Sequence, residues 1–182
     1  MLFTQKSRPS LKLHKSHKSY QSDVISYEDV ETDDIFYRGD IPMHNWKKLI
    51  FTSPPLQCVD EVQPYFNTHQ LLLRFVNTYE SQWFRNLISR IDERNLETLK
   101  CERMQYNTLL MKMNGEELLV CKCPMTRGTF DTNVSCDHIQ FPTMRDVKKG
   151  DMVTVTLEFS RIWHMGGKHG ATLLIKELHI IQ

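Results

Sequence analysis

The last thirty residues alternate between apolar and polar positions, as β-strands with one buried face do. Before the alternation slips at 161–163, apolar side chains occupy every second position: Val153, Val155, Leu157 and Phe159. The slip predicts a β-bulge or a bend. A glycine-rich stretch at 165–170 separates this run from the apolar residues of 171–181. The pattern therefore predicts a long β-hairpin over about 152–181.

A helical period lies in the middle of the chain. Asn77 is a predicted N-cap, with Glu80 at the capping-box position three residues later. We predict a helix over about 78–94, because apolar residues there recur at spacings of three and four. They form one predicted core-facing stripe: Tyr79, Trp83, Phe84, Leu87, Ile88 and Ile91.

Shorter apolar runs predict the remaining strands. The runs at 48–52 and 69–76 each have the length of one strand. Residues 106–113 and 117–123 flank Asn114-Gly115, a dipeptide that favours a type I′ hairpin turn. Together with the helix, these strands predict an α+β fold that is mainly antiparallel β.

Charge is distributed unevenly at the start of the chain. Residues 1–20 contain five cations and no acid, whereas residues 21–40 contain seven acids and one arginine. Neither segment has a sustained apolar period, so we predict a flexible basic-then-acidic arm over 1–40 and a folded domain over 41–182. The basic half is suited to contact nucleic acid, or it pairs loosely with the acidic half.

Composition bears on the compartment. Hydrophobic residues make up 40% of the chain and charged residues 25%, as in soluble globular proteins. The sequence contains no apolar run that could span a bilayer and no apparent secretory signal. Five cysteines without the density of a disulfide scaffold favour a reducing compartment. We therefore expect a protein of the nucleus or of a cytoplasmic replication site, neither secreted nor bound to a membrane.

Familiar catalytic motifs are missing from the sequence. It has no phosphate loop, dinucleotide fingerprint, nucleophile elbow or zinc-protease motif. The stretch 165–170 resembles a phosphate loop only in composition, because it joins two predicted strands and does not lead into a helix. We expect no enzyme activity and no cofactor.

Two pairs of soft ligands are the candidate metal site: Cys121, Cys123, Cys136 and His138. Within each pair, residues two apart on a strand point to one face and can approach a zinc ion. A structural role for these cysteines is favoured over zinc binding, because a one-residue spacer strains tetrahedral chelation and because cysteine is a common buried hydrophobic residue. We therefore expect thiols in the core or at strand edges.

Cations and a large aromatic ring surround the slip in the last hairpin: Arg161, Trp163, His164, Lys168 and His169. This combination is typical of proteins that bind single strands, since cations follow phosphates and exposed rings stack on bases. The middle hairpin and the loop beyond it supply further candidates: Lys112, Lys122, Arg127 and Phe130. The alternative for the tryptophan is a hydrophobic plug, and for the lysines a solvated strand face that prevents edge pairing.

The segment Gly150–Ile181 reads as a glycine-acid pair, an alternating strand, Ile-Trp, a Gly-Lys-x-Gly turn and a returning strand. It resembles the last barrel strands of single-stranded DNA-binding proteins of large DNA viruses and phages, which have the oligonucleotide-binding (OB) fold. The resemblance implies a five-stranded Greek-key barrel with one packed helix. It also implies base stacking by Trp163 and phosphate contacts by Arg161 and Lys168.

Many proteins of this kind recruit partners through an acidic tail. In this sequence the acidic tract is 28–34, so a role in binding a protein partner would lie there. We predict a non-catalytic protein that binds single-stranded nucleic acid in replication, recombination or repair. Single-stranded DNA is favoured over RNA as its ligand. Assembly into a homo-oligomer is left open. The alternatives are a capsid-like or scaffold β-protein whose basic arm contacts nucleic acid, and a small zinc-binding interaction module.

Overall fold

The computed structural model describes residues 24–45 and 47–181. Their one α-helix, α1, spans Tyr79–Leu99, and 3-10 turns span Tyr27–Asp29, Thr32–Asp34 and Arg103–Gln105. The strands are β1 Ile35–Arg38, β2 Ile41–His44, β3 Lys47–Lys48, β4 Ile50–Thr52, β5 Leu56–Cys58, β6 Gln63–Tyr65, β7 Thr68–Phe75, β8 Tyr106–Asn107, β9 Leu110–Met113, β10 Glu116–Cys123, β11 Met125–Thr126, β12 Thr129–Phe130, β13 Asn133–Cys136, β14 Met152–Met165 and β15 Lys168–Ile181.

Five of these strands close a barrel. The ring runs β5, β7, β10, β15 and β14, and β14 pairs back with β5. Each pairing in the ring is antiparallel except that of β10 with β15, which is parallel at Lys122 and Leu174. This closed barrel with one helix confirms the predicted OB-like α+β fold.

Apolar side chains that point inward fill the barrel. Phe51, Leu71, Leu73 and Phe159 are fully buried. Helix α1 lies against this core through Phe84, whose ring centroid is 6.1 Å from that of Phe51. Burial of each such side chain contributes roughly 1.5–3 kcal/mol, so the α1 contact is a major part of the core.

The helix differs from its prediction at both ends. Its N-cap is Thr78 and not Asn77, and the Thr78 hydroxyl accepts a hydrogen bond from the Ser81 amide at 3.2 Å. The helix continues to Leu99 because buried Asn95 extends its packed face. Tyr79 is 81% exposed, so the buried stripe begins after it. Within the described residues, no helix has the length and apolarity needed to cross a membrane.

Both predicted hairpins are present. In the middle hairpin, Asn114 and Gly115 have φ of 52° and 82°, as a type I′ turn requires. In the last hairpin, β14 and β15 are joined by Gly166-Gly167 alone, so most of the predicted loop 165–170 is strand. The register of β14 and β15 shifts twice, and one shift lies between Phe159 and Arg161, where the alternation slips.

The described part of the predicted arm packs against the barrel. Ile25 bridges to Phe51, and Val30 and Ile35 are buried. A boundary at residue 40 therefore falls inside a packed region, because three scattered apolar residues are enough to anchor a polar segment without a regular period. Residues 1–23 and Trp46 lie outside the described residues, and a flexible arm before the domain stays a prediction.

A buried polar network joins α1 to β8. The Asp92 carboxylate accepts hydrogen bonds from the Tyr106 hydroxyl at 2.8 Å and from the Leu109 amide at 2.9 Å. Burial raises the pKa of Asp92 to about 7, although these hydrogen bonds act in the opposite direction. Because β8 pairs with His169 and Gly170, the network helps to position the tip of the last hairpin.

Candidate nucleic-acid interface

The barrel has one continuous outward surface that crosses β6, β7, β10, β15 and β14. On β7, Leu71 and Leu73 point into the core, so the alternate residues point outward. The pairing register then places the outward residues of the other strands beside them. We call this surface the outer barrel face: Tyr65, Gln70, Leu72, Val120, Lys122, Leu174, Thr172, Arg161 and Trp163.

The centre of the outer barrel face combines polar and apolar side chains. The register aligns Gln63, Gln70, Lys122 and Leu174 in one row across four strands. Val120 pairs with Leu72 beside this row, and both side chains are half-buried although they point away from the core. Apolar side chains at this position offer a surface on which bases can lie, and the neighbouring polar groups can bond to a backbone.

Lys122 and Arg161 are the two cations of this face that have no carboxylate partner among the described residues. Partial burial lowers the pKa of Lys122, and the nearby positive charge of Arg161 lowers it further. The two cations therefore repel each other across Leu174 and Thr172. The phosphates of a bound strand would offset that repulsion, because each cation would then lie beside a negative charge.

Three other cations near the face are paired with acids: Lys48, Lys176 and Arg74. Glu158 is buried and accepts ion pairs from Lys48 at 3.0 Å and from Lys176 at 3.5 Å. Arg74 donates to Glu116 at 2.9 Å. The surface next to Lys122 and Arg161 is thus shielded from unpaired acid, which would repel a phosphate chain.

An exposed aromatic pair extends the face at its β6 end. Tyr65 pairs with Thr68, and its side chain lies on the outward side. The Phe66 ring meets the Tyr65 ring edge-on, with the two ring centroids 4.7 Å apart. Phe66 is 91% exposed and has φ of 50°, a left-handed conformation that costs a bulky residue about 1 kcal/mol. Sequence reasoning missed this pair. The signal was available as adjacent aromatics in the polar stretch between two predicted strands.

Trp163 and the hairpin tip mark the opposite end of the face. The half-buried indole lies so close to the backbone of Gly170 that a Cβ there would be 2.4 Å from the ring. A larger residue at this position would therefore have to displace the indole. Lys168, in line with Trp163 on the same side, donates its ammonium to the Met104 carbonyl at 2.7 Å.

Comparison with solved structures finds a similar fold in phage proteins. A C-terminally truncated single-stranded DNA-binding protein of bacteriophage Enc34 aligns with a TM-score of 0.51 and 8% identity, over 81% of this chain and 97% of that one. The structure of the Enc34 protein in complex with single-stranded DNA gives 0.50 and 7%, over 81% and 93%. The fold is similar to that of phage single-stranded DNA-binding proteins. The resemblance expected from Gly150–Ile181 is confirmed at the level of the fold.

A third similar structure is gp2.5, a single-stranded DNA-binding protein encoded by bacteriophage T7. It aligns with a TM-score of 0.49 and 14% identity, over 74% of this chain and 87% of that one. No protein-family model matches the sequence, and no curated protein matches it significantly.

The structure brings four of the predicted contact residues to one side of the barrel: Arg161, Trp163, Lys168 and Lys122. His164 and His169 pair with each other on the opposite side of the hairpin, with ring centroids 4.7 Å apart. Lys112 also lies on the opposite side of its sheet and contacts the Glu117 carboxylate at 3.8 Å. These positions make the three residues weaker candidates for contact with a strand on the outer barrel face.

The two candidates of the loop beyond β10 lie on the small β11–β12 hairpin. Arg127 is exposed at its turn, and Phe130 packs against the core with its ring centroid 5.2 Å from that of His69. Phe130 therefore already has an aromatic partner. The role of both residues in binding stays a prediction.

The candidate zinc ligands are not brought together. Cys121 and Cys123 are buried inside the barrel, whereas Cys136 lies on β13 and His138 is exposed beyond it. Within the described ranges, no group of three or more His, Cys, Asp or Glu residues is placed to hold a metal ion. Burial raises the pKa of Cys123 to about 12, as expected for a core thiol.

Proposed function

We propose that this protein binds single-stranded DNA across the outer barrel face and acts without catalysis in replication, recombination or repair. The observation that carries the proposal is the convergence of Lys122 and Arg161 on a face that has exposed aromatic rings at one end. Neither cation has a carboxylate partner in the part of the chain that the structure describes. The fold neighbours named as single-stranded DNA-binding proteins support it.

In the proposed complex, the strand crosses the barrel from the Tyr65–Phe66 pair towards Trp163. Phosphates contact Lys122 and Arg161, while bases lie on Leu72, Val120 and the rings at the two ends. Such contacts do not read base edges, so binding tolerates sequence. Lys168 adds a cation at the hairpin tip, provided that it releases the Met104 carbonyl.

Fluorescence anisotropy of a labelled dT oligomer titrated with the full chain tests the proposal. Replacing both ring residues, in Tyr65→Ala/Phe66→Ala, should weaken binding by roughly five- to a hundredfold, because base stacking on one ring contributes about 1–3 kcal/mol. Tyr79→Ala, which removes a ring of α1 that is nearly as exposed as Phe66, is the control and should leave affinity unchanged. Equal affinity of the double variant and the parent would reject the proposed path.

A further inference from the structure

Two histidines face each other across the last hairpin, on the side away from the outer barrel face. His164 on β14 pairs with His169 on β15, one residue pair before the Gly166-Gly167 turn. Their Nδ1 atoms are 2.5 Å apart, and their rings meet edge-on with centroids 4.7 Å apart. His164 is exposed and His169 is half-buried, so an ion in solution can reach both nitrogens.

The contact between the two Nδ1 atoms requires that one ring donates a proton and the other accepts it. A neutral imidazole can carry its proton on Nε2 instead of Nδ1. When the donating ring changes to that tautomer, both Nδ1 lone pairs point at the space between the rings. Two imidazole nitrogens directed at one point supply two of the four ligands of a tetrahedral zinc ion.

The spacing of the two rings fits a shared metal ion after a small movement. Zinc binds a histidine nitrogen at about 2.0–2.1 Å, so two ligands in a tetrahedral arrangement lie about 3.3 Å apart. The Nδ1 atoms reach this separation from 2.5 Å by a movement of less than about 1 Å. Small rotations of the two side chains provide that movement without any change of the backbone.

The backbone holds the pair in place before an ion binds. Gly166 and Gly167 have φ of 58° and 73°, as a two-residue type I′ turn requires, and this turn fixes the pairing of the two strands. On the other edge of β15, His169 pairs with Tyr106 of β8, which is hydrogen-bonded to the buried Asp92. Because the two ligands are positioned in advance, binding orders few additional groups.

We infer that His164 and His169 bind a zinc ion through their Nδ1 atoms, with water completing its coordination. Within the described ranges, no third His, Cys, Asp or Glu joins the pair to form a larger metal site. Imidazole is a preferred ligand of zinc and copper, whereas magnesium prefers oxygen ligands. The site lies on the side of the hairpin opposite Trp163 and Lys168, so it does not depend on the proposed binding of nucleic acid.

Nuclear magnetic resonance of the full chain, labelled with ¹⁵N, tests the inference with zinc chloride as the probe. Zinc should shift the amide signals of residues 163–170 in a saturable way, and the same concentration of magnesium chloride should not. Copper(II), which is paramagnetic and binds imidazole more tightly than zinc does, should broaden the same signals first. His164→Gln and His169→Gln should each lower the zinc affinity at least about tenfold, because the second imidazole of the pair binds the same ion intramolecularly.

The matched control is His138→Gln/His179→Gln, which removes two histidines from other parts of the domain and should leave the zinc response of residues 163–170 unchanged. Zinc bound by His14 and His17, which lie outside the described residues, is distinguished because it does not move these amide signals in a manner that depends on His164. Both single variants should unfold at the temperature of the parent, since they change side chains at the hairpin tip. Unchanged zinc affinity in either single variant, or no response of residues 163–170 to zinc, would overturn the inference and leave the contact as a hydrogen bond between strands.

Discussion

The unpaired cations of the outer barrel face predict how binding depends on salt. Affinity falls as salt rises, and each phosphate contact that a cation makes on a single strand releases counterions. Each contact therefore adds about 0.7 to the steepness of this fall, which is the magnitude of the slope of log affinity against log salt. Among the residues that the structure describes, no carboxylate pairs with Lys122 or Arg161 and competes with a phosphate. We therefore expect Lys122→Gln/Arg161→Gln to lower the slope by about 1.4.

This difference is large enough to measure. Between about 50 and 200 mM salt, a slope lower by 1.4 reduces the loss of affinity by roughly sevenfold. Anisotropy titrations of the parent and the variant with a dT oligomer at four or five salt concentrations within that range give the slopes directly. Each single variant should account for about half of the change, since the two cations contact separate phosphates.

The control is Lys112→Gln. This lysine is exposed like Arg161, but it lies on the other side of its sheet beside Glu117. It should leave the slope unchanged. If the double variant keeps the parent's slope, or if Lys112→Gln lowers it as much, the phosphates do not lie across Lys122 and Arg161 and the reasoning from the outer barrel face fails.

Three further outcomes test the fold around the site. Gly170→Ala should displace the Trp163 indole, shift its fluorescence and cost roughly 1–3 kcal/mol of stability, since the added Cβ overlaps the ring; an unchanged spectrum would contradict the contact. Folding raises the pKa of Asp92 to about 7, so the native state holds this proton at pH values where the unfolded state has lost it. As pH rises from about 4 to 8, the free energy of unfolding of the parent, measured with urea, should therefore fall by up to about 4 kcal/mol relative to that of Asp92→Asn. A thiol reagent should label the partly exposed Cys101 and Cys136 in the native chain long before it labels the three buried thiols, Cys58, Cys121 and Cys123. Rapid labelling of the buried thiols would refute their place in the core.

Strand and turn chemistry made much of the fold predictable from the sequence. Alternation identified the hairpin of β14 and β15, and Asn114-Gly115 identified the middle turn, because local patterns fix these elements. The closure of the barrel and the packing of residues 24–38 depend on contacts distant in sequence. A segment anchored by scattered residues such as Ile25, Val30 and Ile35 has no local period to reveal it.

The site was predictable only in part for the same reason. Arg161 and Trp163 adjoin a visible slip in one strand, so they could be singled out. That Lys122 joins their face while Lys112 does not follows from which side of β10 and β9 each residue occupies, which depends on the register. Tyr65 and Phe66 lie at the end of the outer barrel face because β6 pairs with β7, and the three-residue strand β6 has no sequence pattern that would reveal it.

The same packing decides how an arm-based alternative can be tested. Deleting residues 1–40 would remove Val30 and Ile35 from the core and break the bridge of Ile25 to Phe51. Loss of apolar core side chains costs several kcal/mol, so failure of that fragment to bind would report unfolding and not the loss of an arm.

A chain that begins at residue 24 avoids this ambiguity, because it loses all five N-terminal cations and keeps every described contact. If the outer barrel face is the binding site, this chain should retain most of the affinity of the full chain for a dT oligomer, and Lys122→Gln/Arg161→Gln should still lower its salt slope by about 1.4. If instead a scaffold protein binds nucleic acid through its basic segment, the shortened chain should lose binding while its thermal unfolding remains unchanged. That pair of results would refute barrel-based binding without any appeal to misfolding.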